Sequence, residues 1–341
     1  MPIRSSARGA PSLELRARPA VADATIAHRA GERRTFRVIP RHRFVFPHIG
    51  ARPRVLVPVL MGQMARPAIS IGDALATSPG GSGSVLGLVE IRAGRDNEVF
   101  AQDQRRRDML RWVAGLEYPG DGRRRLSLSL RITANLASSI RDFAAENETT
   151  SLVLEWPTVS SARRHGLIDL SRQLLPDHRT DIVFVRSNPR APHEAIAPRT
   201  ILAAIRGGSS ARVVASTASA LADACGSALT LTHIQTDSQH PDRSRREWDS
   251  FEQIVAELHR PSANVRVHHH ENAATGLLEE ATGQDLVVIG SRLSPSKPDI
   301  PIGRELQRIV RRLECPVLLV RPKHLSPTGS THGVASNGHG V

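Results

Sequence analysis

From about residue 52 onward, short aliphatic and β-branched runs alternate with longer stretches whose apolar positions recur every three or four residues. In the first half the runs predict strands near Arg54 to Leu60, Ser84 to Ile91, Arg125 to Thr133, Thr150 to Trp156 and Asp181 to Arg186. Helices are predicted near Ala65 to Thr77, Glu98 to Leu116, Asn135 to Glu146 and Arg163 to Leu175. The second half repeats the order, with strands near Thr200 to Ile205, Ala228 to Ile234, Asn264 to His269, Asp285 to Gly290 and Pro316 to Arg321. Its helices fall near Ser210 to Ala224, Arg243 to His259, Ala273 to Thr282 and Gly303 to Leu313. Runs such as Leu286 to Ile289 and Val317 to Val320 lack polar alternation, the pattern of a parallel sheet covered on both faces. The fold class is therefore α/β: two tandem Rossmann-like domains, each a five-stranded parallel sheet with helices on both faces.

The same pattern sets the boundaries. Residues 1–50 mix Arg, Ala, Pro and Ser with little apolar periodicity and are expected to be a disordered basic tail, apart from Phe36 to Ile49, which could pack as an extended segment. Residues 51–188 form the first domain and 198–323 the second, with Pro189, Pro192 and Pro198 in the linker and a disordered tail at 324–341.

At 341 residues and 40% hydrophobic content, the chain can bury a core in each domain. No apolar run is long enough to span a bilayer, so no membrane insertion is expected and the cytoplasm is the expected compartment. Cys225 and Cys315, each beside a hydrophobic run, suit buried reduced thiols. The net charge of +13 raises the question of nucleic acid. Residues 1–53 hold eleven arginines against Glu14, Asp23 and Glu32, so most of the excess sits in the tail. Aromatic residues make up only 3% of the chain, which argues against base stacking. Association with nucleic acid through the basic tail is kept as a subordinate reading.

Four segments of the second half carry a family resemblance: Ile201 to Gly208, Ala228 to Thr236 with His233 near its end, Asp285 to Arg292, and Cys315 to Arg321. Together they resemble a universal stress protein domain from first strand to last. Arg54 to Val59 and Asp181 to Arg186 are similar to that family's first and fifth strands, so the first half resembles a divergent copy. The tandem form is similar to the paired domains that follow the membrane helices of some amino-acid permeases. The resemblance implies a non-catalytic stress-response or ligand-sensing protein. It also implies a homodimer or a protein partner such as a transporter, which gives the alternative of a soluble regulatory domain acting without ligand.

Nucleotide-binding members of the family carry a Gly-x2-Gly-x9-Gly-Ser/Thr loop after the fourth strand, where glycines and a helix N-terminus face phosphates. Gly290 and Gly303 match its first and third glycines, whereas Leu293 and Arg304 replace the second glycine and the Ser/Thr. Arg206 stands where the family places an Asp at the end of the first strand, and a guanidinium cannot accept a hydrogen bond. The candidate nucleotide- or anion-binding residues are thus Arg206, Gly207, Gly290, Ser291, Arg292, Gly303 and Arg304, around a ligand such as ATP, AMP or another phosphorylated compound. In the first half Glu155 and Trp156 stand where Gly290 and Ser291 stand, so ATP binding in the family manner is not expected there.

Other features carry less. His268-His269-His270 reads as a solvated strand end, not a metal site, because only two of the three share a strand face. Gly80 to Ser84 precedes a strand and reads as a turn, and no Gly-x-Ser-x-Gly elbow supports a hydrolase. The apolar residues of Glu98 to Leu116 form one side of a sheet-covering helix.

Overall fold

The computed structural model describes residues 23–27, 33–37, 52–60, 65–90, 104, 107–108, 111, 126–156, 170–171, 173–174, 179–236, 241–258, 260, 262–291 and 304–323. Its strands are β1 (Asp23–Ala27), β2 (Arg33–Arg37), β3 (Arg54–Leu60), β4 (Ser82–Glu90), β5 (Leu126–Thr133), β6 (Ser151–Glu155), β7 (Asp181–Arg186), β8 (Thr200–Ala204), β9 (Ala228–Thr236), β10 (Asn264–His270), β11 (Leu286–Gly290) and β12 (Val317–Arg321). Its helices are α1 (Arg66–Ala76), α2 (Leu136–Glu146), α3 (Ser209–Cys225), α4 (Pro241–Leu258), α5 (Ala273–Glu280) and α6 (Arg304–Arg312). Gln104, Arg107, Asp108 and Arg111 are helical within the stretch predicted as Glu98 to Leu116, and Leu170, Ser171, Gln173 and Leu174 within Arg163 to Leu175. The rest of both stretches lies outside the described residues.

One departure from expectation is the sheet itself. The chain builds a single ten-stranded sheet in the order β10-β9-β8-β11-β12-β7-β6-β3-β4-β5. Each half contributes five parallel strands, as expected, and both halves use the same internal order, third-second-first-fourth-fifth. The two fifth strands then pair antiparallel, with Leu319 opposite Phe184 at the centre of the register. Both faces are covered. One apolar cluster joins Val55, Val57 and Val59 to residues of α1, α3 and α4. The other joins Leu56, Val287 and Leu319 to residues of α2, α5 and α6. The non-alternating runs are explained by this: Leu286, Val287 and Val288, and all of Val317 to Val320, are fully buried.

Local chemistry fixes the helix starts. The Asn135 side chain accepts from the Ser138 amide at 3.0 Å and the Asn272 side chain from the Ala274 amide at 2.8 Å, each satisfying an otherwise orphaned donor. Gly208 caps α3 at φ +79°, and Gly226 closes it at φ +66°, in the left-handed region.

Arg186 ties the halves together. From the end of β7 its guanidinium enters the second half, where Nη1 donates to the Val310 (2.6 Å) and Leu313 (3.0 Å) carbonyls and Nη2 to those of Leu313 (2.6 Å) and Cys315 (2.7 Å). These are the last carbonyls of α6 and its exit, where a cation offsets both unsatisfied acceptors and the negative end of the helix dipole. The side chain is 7% exposed, and burial lowers its pKa from the usual arginine value.

Within the segment expected to be disordered, β1 and β2 form a separate antiparallel pair. That differs from the sequence expectation over those residues. The remainder of 1–50 and all of 324–341 lie outside the described residues. Cys225 is exposed, contrary to the expected burial, because it is the last residue of α3 beside the Gly226 cap. Cys315 is partly buried.

Candidate functional site

In an open parallel sheet, ligands bind beyond the carboxyl ends of the strands where the strand order reverses. In the second half that point lies between β8 and β11, and a cavity of about 280 Å³ opens there. Its floor is apolar, with Ile205, Val214, Ile234, Leu277 and Ile289. The polar groups are Arg206, Ser210, Thr232, Glu247 and Glu305. A larger cleft of about 770 Å³ sits at the opposite ends of the strands, where the linker crosses the turn at Thr282 to Asp285. Its walls mix arginines with carboxylates, and Arg190 pairs with Glu314 across 2.9 Å.

The structure brings Arg206, Gly207 and Gly290 together around the smaller cavity. Arg206 is half-exposed at the rim, with Nε 3.6 Å from Glu247 Oε1, so the guanidinium expected to meet an anion is already balanced by a carboxylate. Gly207 has φ +99°, and a Cβ there would lie 3.1 Å from Glu247 Cα, so glycine lets α4 approach the turn. Gly290 serves packing as well: a Cβ would meet Ser210 Oγ at 2.8 Å. Ser291 is buried, and its amide donates to the Val320 carbonyl at 2.8 Å, extending the sheet. Arg292 and Gly303 lie outside the described residues. Arg304 opens α6, so its backbone is placed while its side chain is not described.

Glu247, Ser210 and Thr232 were missed by sequence reasoning. Glu247 did leave a signal, since it shares the stripe of α4 that holds Phe251, Ile254 and Leu258, an unusual place for a carboxylate. Behind it His233 is 1% exposed; its Nδ1 lies 2.8 Å from the Ile205 carbonyl and its ring stacks on Phe251 at 5.1 Å. Burial lowers its pKa from the ordinary histidine value, opposed by the Ile205 hydrogen bond and Glu247. The neutral tautomer that donates from Nδ1 fits this surrounding.

The first half fills the equivalent positions differently. Glu155 pairs with Val185 as Gly290 pairs with Val320, and the Trp156 amide donates to the Val185 carbonyl at 2.7 Å as Ser291 does to Val320. The sequence alignment of Glu155 with Gly290 is therefore the structural one. Burial pushes the Glu155 carboxyl up to about 7. Trp156 packs edge-on against Phe184, with centroids 5.6 Å apart.

The histidine run departs from its reading as a solvated strand end. His269 is exposed, but His268 is buried against α5 and His270 is partly buried, because β10 pleats their shared face toward that helix. Among the described residues, no cluster of three or more metal-ligating side chains occurs, and no helix is long and apolar enough to cross a membrane.

The fold and crevice define the class: a doubly wound α/β protein whose second half has an open crevice at the switch point of its parallel strands. Residues 198–321 match the model of the Universal stress protein family. A search of curated proteins found no match. Among solved structures, a universal stress protein from Archaeoglobus fulgidus is similar at a TM-score of 0.51 and 13% identity, over 78% of this chain and 97% of that one. The cytoplasmic domain of a prokaryotic cation chloride cotransporter has a TM-score of 0.47 at 12% identity, over 80% and 96% of the respective chains. A Burkholderia pseudomallei protein from the universal stress protein family aligns at 23% identity over 36% of this chain and 94% of that one, with a TM-score of 0.27. The Archaeoglobus likeness is one of fold and extends across both halves.

Proposed function

We propose that the protein is a non-catalytic, ligand-sensing regulator whose second half takes a small phosphorylated or anionic compound at the β8–β11 crevice. The observation that carries the reading is the pairing of an apolar cavity floor with a rim guanidinium at the switch point of the sheet. At about 280 Å³ the cavity is sized for one ring system, so the phosphates of a nucleotide would extend past Gly207 toward the start of α6. Free backbone donors at that helix start favour negative charge.

One further feature of the cavity supports a particular ligand chemistry. Arg206 removes the family's acceptor, but Glu247 brings a carboxylate into the same cavity from α4. A base bearing an amino group therefore has an acceptor within the site, and the guanidinium beside it is released to phosphate only when the Arg206–Glu247 pair opens. AMP and inorganic phosphate are expected to bind more tightly than ATP.

Calorimetric titration of the full chain with ATP, AMP and phosphate, repeated on Arg206→Ala, tests this. The expected result is AMP binding weakened about tenfold by the substitution, the loss of one charge-assisted hydrogen bond. Micromolar ATP binding that Arg206→Ala leaves unchanged would overturn it. Mass analysis of small molecules released on denaturing the purified protein identifies any retained ligand directly.

A further inference from the structure

Most of the sheet meets its helices through aliphatic side chains, but the outer strand β10 meets α5 through charge. Strand alternation sets Arg266, His268 and His270 on one face, and α5 answers with Glu279 and Glu280. His268 Nε2 lies 3.2 Å from Glu280 Oε2, with the two side chains only 10% and 11% exposed. Arg266 Nη1 approaches the same oxygen at 3.4 Å, and His270 Nε2 is 3.7 Å from Glu279 Oε2. Gly276 makes the contact feasible, because a Cβ at that position would stand 2.6 Å from His270 Cδ2.

On β9, the register places Thr232, Ile234 and Thr236 beside Arg266, His268 and His270, and none of the three ionises. α6 meets α5 through the apolar cluster of Leu277, Leu306 and Ile309. β1 lies against β10, with Asp23 its one ionisable residue. His269 points to the opposite face and is exposed.

We infer that this cluster is an acid-strengthened latch: protonation of His268 fastens α5 to β10, and loss of that proton loosens it. A helix of two turns has little stability of its own, so its order depends on this docking. α5 supplies Ala273 and Leu277 to the cavity wall, which makes the latch a means for pH to alter the crevice. That consequence rests on the ligand reading above, whereas the latch itself does not.

The test is hydrogen exchange on the full chain without added ligand, followed at the amides of residues 274–281, corrected for the intrinsic pH dependence of exchange and expressed relative to the amides of β11 and β12, so that the global effects of Glu155 and His233 cancel. Protection is expected to be about threefold greater near pH 5.5 than near pH 7.5, and this difference should vanish in His268→Gln and in Glu280→Gln. Protection that is independent of pH in the unmodified protein, or a pH response that survives in His268→Gln, overturns the inference. Should either variant fail to fold, NMR titration of the unmodified protein decides: the His268 ring must titrate across the same interval together with the α5 amides, and a flat His268 signal overturns the latch. His233, on the opposite face of the sheet, affects stability in the other sense and remains intact in both variants.

Discussion

The two halves share strand order and sheet register, yet their crevices are chemically opposite. Where the second half has Gly290 and Ser291, the first has Glu155 and Trp156, and the outcome follows from side-chain volume and charge. The glycine leaves space that Ser210 and the cavity share. The Glu-Trp pair instead places a poorly hydrated carboxyl and an indole packed on Phe184 at the equivalent point. One topology thus leaves an open crevice in one copy and fills the equivalent point in the other, because in an open parallel sheet these features lie in the loops and strand ends.

The comparison can be broken at its joint. Arg186→Ala removes four hydrogen bonds and leaves three α6-end carbonyls without their cation, so it should cost about 4 kcal/mol in denaturant unfolding. A loss below about 1 kcal/mol would show that the halves stand independently.

Next in size is the pH response of the first half. Glu155 holds its proton up to about pH 7 when folded but titrates near 4.5 when exposed, so the folded state binds the extra proton between those values. Stability must then fall as pH rises through that window, by about 3 kcal/mol, and stay flat above it. Glu155→Gln should abolish this fall, which thermal melts across the window would measure.

A third prediction transfers bulk into the second half. Gly290→Ala sets a methyl 2.8 Å from Ser210 Oγ and should cost about 2 kcal/mol, while the double variant Gly290→Ala with Ser210→Gly should recover most of it. If the double variant is no better than the single one, the glycine answers to a demand other than Ser210.

The smallest effect is expected at His233. Its folded pKa lies below the unfolded value, so the unfolded state binds more protons once the pH drops below about 6.5, and acid weakens the fold there. His233→Gln should flatten this acid loss. An unchanged acid limb in the stability curve would assign it to other groups.

Much of the fold was legible because a parallel sheet covered on both faces demands uninterrupted apolar runs, as at Leu286 to Ile289 and Val317 to Val320. The repeat of five such runs gave the two five-stranded halves of the sheet, and the glycines gave the turn at the crevice. Arg206, Gly207 and Gly290 were found because they border strand ends. Glu247 was not, because its position depends on how closely α4 packs against the turn at Gly207, a distance no local pattern encodes. His268 was misjudged for a related reason: strand alternation told which residues shared a face, but not that α5 would bring Glu280 to that face.

By itself, then, the sequence determined the strands, the helices and the twofold repetition, since these follow from hydrophobic periodicity and turn chemistry within short spans. Only the tertiary structure decided that β7 and β12 join the halves into one sheet, that Arg186 enters the partner half, and that Arg206 faces a carboxylate. Each of these depends on contacts between residues far apart in the chain, where partner choice is set by packing and charge balance in three dimensions.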